Sequence, residues 1–172
     1  MRREQDALRG LRYETLSGLG ALPVDHLPPM IRRTGWRWKG DFFDLDIPLS
    51  VELHFRLWDS ATEYISIEGL DRFWDRRTPH RIGDFHFRAL EPKDTLAYAA
   101  LHLLRHIFRG DFRLYHAYEL AHFLQYTAGD DAFWNDWKRS HSDSLRSTQA
   151  ISLRLAAHWF GFRCPDPLSE EF

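Results

Sequence analysis

Within residues 48–58, PLSVELHFRLW, the side chains Glu52, His54 and Arg56 alternate with Val51, Leu53, Phe55 and Leu57. A period of two marks a strand with one apolar and one polar face. A carboxylate, an imidazole and a guanidinium would then project from the same side of a rigid element. Such a row can be the floor of an active site. It can equally be the solvated face that antiparallel sheets commonly show to water, and the pattern alone leaves both readings open.

A second group has helical spacing. His102 and His106 stand one turn apart in LHLLRH, and His116, Glu119 and His122 follow in the next helical segment. Glu119 shares a face with each of its two histidines. Two histidines one turn apart, with His and Glu on a neighbouring helix, is a geometry in which helical bundles bind metals. The set His102, His106, His116 and Glu119 is therefore the candidate metal site. Position 103 is Leu, so the zinc-protease pattern with Glu after the first His is missing. Glu119-x-x-His122 supplies only half of a di-iron set. Hydrogen-bonded histidines at a core boundary are the commoner use of such residues.

Other candidates carry less. Asp44-Leu-Asp46 mimics an Asp-x-Asp metal pair, but Pro48 and the nearby glycine favour a solvated turn. Cys164 has no neighbouring base in sequence and reads as a packing residue. Gly18-x-Gly20 lacks the Gly-Lys and helix start of a phosphate loop.

The elements that must position these residues follow from pattern and composition. The 172 residues suggest one domain or a little more, and aromatic residues reach 15%. A formal charge of −2 gives no basic field for nucleic acid or an anionic membrane. The apolar runs are too short to span a bilayer, and MRREQDALRGL lacks the apolar core of a signal peptide. One cysteine excludes an internal disulfide. The expectation is a soluble, cytoplasmic protein.

Along the chain, residues 2–11 read as a short amphipathic helix and 13–16 as a strand. A proline-rich loop over 22–29 and a short segment at 30–34 come next. Strands are expected at 35–40 (GWRWKG) and 48–58, then a helical stretch within 62–77 and a hairpin over 80–90 turning at Gly83-Asp84. Glu91-Pro92 is a good helix start. Helices are expected at 92–108, 112–127, 131–141 and 144–160, with Gly110, Gly129 and Gly161 at their ends. The fold class is α+β: a small mixed or antiparallel sheet portion over 1–90, then a bundle of about four helices over 91–172 with a short tail.

In that order the motifs resemble a family. VELHFRLW in a strand, FWDRR closing a helix, a glycine hairpin, LEPKDTLAYAALHLLRHIF and YELAHFL are similar to the uncharacterised bacterial nucleotidyltransferases of the polymerase-beta-like superfamily. The likeness covers most of the chain from about residue 26. It implies transfer of a nucleoside monophosphate from a nucleoside triphosphate to an acceptor. The family holds magnesium with an Asp-x-Asp pair and a third carboxylate, after a Gly-Ser turn that grips phosphate. Glu52 matches the third carboxylate and His54 a recurrent histidine of unassigned role. This chain has no Gly-Ser dipeptide, and the Asp-x-Asp strand would precede Met1. The resemblance thus implies the C-terminal part of such an enzyme, catalytically incomplete as it stands, with Mg and NTP as family cofactors.

A binding or assembly module is the reading from another class. An open sheet edge could pair with a second copy or a partner chain, with Trp36, Trp38, Trp58 and Trp74 as anchors. Trp36-Arg37-Trp38-Lys39 could also stack on a nucleotide, although alternating Trp more often packs a core.

Overall fold

A computed structural model describes residues 2–15, 26–37, 39–41 and 44–169. Leu16, the glycines Gly18 and Gly20, residues 22–25 of the loop at 22–29, Trp38 and part of the 41–46 acidic segment lie outside the described residues. The molecule is α+β, with three-stranded and two-stranded antiparallel sheets and a helical C-terminal region. It divides into two compact units, Met1–Asp59 and Ser60–Phe172. The sequence pattern places that division at 90. In the structure the hairpin falls in the same unit as the helices.

The first unit opens with α1 (Arg2–Gly10), followed by β1 (Tyr13–Thr15), β2 (Met30–Arg32) and β3 (Ser50–Val51). The sheet order is β1-β2-β3, with Thr15 opposite Met30 and Met30 opposite Val51. The long strand expected over 48–58 is cut to two residues, and the reason is in its partner. Beyond Met30 the neighbouring chain runs into Pro29 and Pro28, which have no N–H to donate to a ladder. Pairing resumes only where Leu27 N–H donates to the Leu53 carbonyl at 2.9 Å and His26 bridges His54. Three residues, 27–29, thus oppose two, Glu52 and Leu53, and the register slips by one as at a bulge. The strand expected at 35–40 is also absent among the described residues. Trp36 turns instead to donate its indole N–H to Asp44 at 2.9 Å.

The second unit begins with two single-turn helices, α2 (Ser60–Glu63) and α3 (Arg72–Asp75). The helical stretch expected within 62–77 is confined to short turns, separated by Tyr64 at φ 59° and Gly69 at φ 86°, both in the left-handed region. The hairpin is as expected: β4 (Thr78–Ile82) and β5 (Phe85–Ala89) pair from Thr78–Ala89 to Ile82–Phe85. Gly83 supplies the positive φ, 57°, that a two-residue turn needs at its first position.

Four longer helices follow: α4 (Pro92–Phe108), α5 (Leu114–Thr127), α6 (Asp131–Ser140) and α7 (Asp143–Phe160), then the short α8 (Asp166–Ser169). Their ends obey local chemistry. Pro92 occupies the first turn of α4, Asp130 accepts from Phe133 N–H, and Ser142 accepts from Leu145 N–H. Gly161 at φ 69° closes α7. The core joins Leu96, Ala100 and Leu103 of α4 to Leu120 and Leu124 of α5, Trp134 and Trp137 of α6, and Leu153 of α7. Alanines 100, 117, 121, 150, 156 and 157 let the helices approach closely, so that Ser152 Oγ donates to the Ala100 carbonyl at 2.7 Å.

Candidate functional site

In the first unit, Glu52 follows β3 directly and His54 sits on the isolated bridge to His26. Glu52 Oε2 lies 3.5 Å from His54 Nε2, and the rings of His26 and His54 are 5.0 Å apart. His26 Nδ1 donates to the Leu27 carbonyl at 2.8 Å, which orients its ring. The structure therefore brings Glu52 and His54 together, as the alternation predicts, and adds His26 from the opposing segment. Arg56 takes a different partner: its guanidinium donates to Asp59 at 2.6 Å. Glu52 keeps a side chain 45% exposed, so it is accessible to a ligand.

The neighbouring aspartates behave as a turn. Asp44 accepts from the Trp36 indole and, at 3.0 Å, from the Asp46 backbone N–H, and Lys39 Nζ stands 3.0 Å away. These interactions, led by the Trp36 hydrogen bond, hold its carboxyl down at about 2. Both Asp44 oxygens are spent on the protein, and Asp46 is 81% exposed. Asp44 and Asp46 do not assemble with Glu52 into the carboxylate set that two magnesium ions need. Among the described residues, the grouping of three or more metal-competent side chains is elsewhere, in the bundle.

That grouping is His102, His106 and His116, whose candidate ligand atoms all lie within 4.8 Å of one another. The turn at 109–113 folds α5 back beside the end of α4, which brings His116 to the two histidines of one α4 face. Their ring centroids are 4.6, 4.8 and 5.0 Å apart. His102 Nε2 and His106 Nε2 are 3.1 Å apart. The two carboxylates nearby are Asp111, 3.4 Å from His106 Nδ1, and Glu119, 3.9 Å from His116 Nδ1. Burial, and then the adjacent His106, push the His116 imidazole below its ordinary value, so it is neutral at pH 7. His122 is exposed, rests against Tyr118, and stays out of the group.

A third set was not legible in the sequence. Asp94, in the first turn of α4, is fully buried and accepts two hydrogen bonds from Arg76, at 2.9 and 2.6 Å. His141 Nε2 donates to the same carboxylate at 2.9 Å, Gln149 Nε2 donates to His141 Nδ1 at 3.3 Å, and the Trp137 indole donates to Gln149 Oε1 at 2.8 Å. One tautomer of a neutral imidazole satisfies every link. Burial is the largest influence on both ionisable ends. It pushes His141 down beyond what Asp94 can restore. On Asp94 it pushes upward, but the bonds from His141 and Arg76 together outweigh it and hold the carboxyl low. The set contains no hydroxyl or thiol nucleophile facing the imidazole; it is a buried brace. Lys93 adds to it by pairing with Glu91 and, at 2.5 Å, with Asp136.

The brace ties two sequence motifs together. Arg76 is the first arginine of FWDRR and Asp94 the last residue of LEPKD, so their joint presence has a physical cause. With α+β architecture and these stretches in place, the chain belongs to the family described as uncharacterised nucleotidyltransferase, whose profile matches residues 24–161. Glu52, His54, the helical histidines and the brace all fall inside that match. No curated protein and no solved structure matches the chain.

Proposed function

We propose that Glu52 supplies the third carboxylate of a nucleotidyl-transfer site of the polymerase-beta type, and that this chain does not complete that site alone. The observation that carries the second part is the state of Asp44: its oxygens are taken by Trp36, the Asp46 amide and Lys39, which leaves Glu52 without a paired Asp-x-Asp. A single carboxylate does not provide the charge and ligands that two magnesium ions require for phosphoryl transfer. Magnesium and nucleoside triphosphate therefore belong to a completed site, to which this chain would bring Glu52 with His54 and His26 beside it. His54, whose Nε2 is 3.5 Å from Glu52 Oε2, positions the carboxylate.

The test is transfer of label from nucleoside triphosphates labelled at the α-phosphate, with magnesium, using the protein and a panel of nucleic-acid, protein and small-molecule acceptors. The expected result is no transfer by the chain alone. Transfer that disappears in Glu52→Gln would confirm the role of Glu52 and overturn the incompleteness. Transfer unchanged in Glu52→Gln would overturn the assignment itself.

A further inference from the structure

We propose that His102, His106 and His116 form a binding site for a divalent transition metal, zinc in the first instance, that clasps the end of α4 to the start of α5. Three imidazoles from two helices already converge without any rearrangement of the backbone. A tetrahedral zinc with nitrogens at about 2.0–2.1 Å holds those nitrogens roughly 3.3–3.4 Å apart. The His102 and His106 Nε2 atoms, 3.1 Å apart, are near that spacing. His116 closes the remaining gap by a small ring rotation within the 4.8 Å span of the group.

The choice of nitrogen follows from what surrounds each ring. The Nε2 atom of His116 is buried and makes no hydrogen bond, whereas its Nδ1 faces Glu119. His106 likewise turns Nδ1 toward Asp111 and Nε2 toward His102. Ligation through Nε2 with Nδ1–H directed at a carboxylate is the arrangement by which proteins orient metal-bound imidazoles and raise their basicity. Glu119 and Asp111 are thus orienting groups, and the fourth position is open to water.

The field at this place also suits a cation. The last carbonyls of α4 carry the negative end of its dipole. Glu63 pairs with both Arg105 and Arg109, and Asp111 pairs with Arg113, so each neighbouring guanidinium has a carboxylate beside it. Imidazole nitrogens select zinc, copper or nickel over magnesium, which separates this site from any nucleotide-bound magnesium.

The experiment is a cobalt(II) titration of untagged full-length protein, followed by visible absorption, then displacement by zinc. The expected outcome is saturable uptake of one cobalt with the intense absorption of a four-coordinate site, lost on adding zinc and indifferent to excess magnesium. His106→Ala and His116→Ala should each weaken binding by about 100-fold or more. Glu119→Gln should weaken it by roughly 10-fold, the lower end for orienting partners, and His122→Ala should leave it unchanged. Circular dichroism checks that each variant is folded. If an alanine variant is not, the wild-type titration and Glu119→Gln still decide. No saturable uptake by the wild type, or equal loss in His122→Ala and His116→Ala, overturns the site. None of these readouts uses nucleotide transfer, so the proposal stands or falls separately from the role of Glu52.

Discussion

The two units of the molecule are built on opposite terms. In the second, four amphipathic helices bury Leu, Ala and Trp in one core, and their buried polar groups are gathered into a bonded brace from Arg76 to Trp137. In the first, strands of two and three residues carry mostly exposed or half-buried side chains, and a pair of prolines interrupts the pairing. A helix satisfies its backbone within itself, so its extent depends on nearby residues. A strand depends on what another segment offers, and here that segment offers Pro28 and Pro29. The first unit leaves Glu52 open to solvent and ligand; the second bonds its central polar groups to one another but leaves the buried Nε2 of His116 without a hydrogen bond.

The sharpest way to break this contrast is to cut the brace at its centre. Asp94→Ala leaves Arg76 and His141 facing a gap. It should destabilise the second unit by about 3–5 kcal/mol, the usual cost of breaking a buried pair by removing one partner. Urea unfolding followed by tryptophan fluorescence measures it. A loss below about 1 kcal/mol would mean that the brace contributes no more than surface pairs do.

A smaller effect is expected from pH. The folded-state values of His141 and Asp94 both lie below their ordinary 6.5 and 3.8, so in each case the unfolded chain takes up the proton first. The His141 contribution is complete above pH 6.5 and declines as pH falls through its folded value. The Asp94 contribution is complete above about pH 4 and is lost in stronger acid. Melting temperature should thus fall in two stages on acidification, and His141→Gln should flatten the first. A melting temperature that rises between pH 7 and 5 would contradict a neutral buried His141.

The smallest effect concerns the first unit. Pro29→Val restores an N–H opposite Glu52. It should lengthen the β2–β3 ladder while changing stability by no more than about 1 kcal/mol, as expected for a strand-propensity change. Hydrogen exchange at the amides of residues 29 and 52–54 tests this, with new protection expected. Unaltered exchange would place the cause of the short strand elsewhere.

These differences explain what could be read in advance. The 92–108 helix was legible to the residue because Glu91-Pro92 marks its start and apolar spacing carries it onward. The Gly83-Asp84 turn fixed the hairpin register in the same local way. His102 and His106 are one turn apart, so their shared face was plain, although the approach of His116 needed the turn at 109–113. The 48–58 alternation was genuine at Glu52 and His54 but overstated the strand, since alternation says nothing of the partner's prolines. The brace was invisible because its ion pair and its histidine bond join residues 18 and 47 positions apart. No periodicity connects Arg76, Asp94 and His141.

The Arg76–Asp94 pair has one more consequence. It fastens the chain on either side of the β4–β5 hairpin, and Arg88 adds a second fastening by donating to the Arg77 carbonyl at 2.6 Å. The hairpin is therefore a clipped appendage whose Ile82 and Phe85 already face solvent at its tip. Because loop closure costs only about 0.6 kcal/mol per doubling of length, the chain can be lengthened at Gly83-Asp84 with the clip left intact. That tip is the natural place for a spliced-in peptide or label.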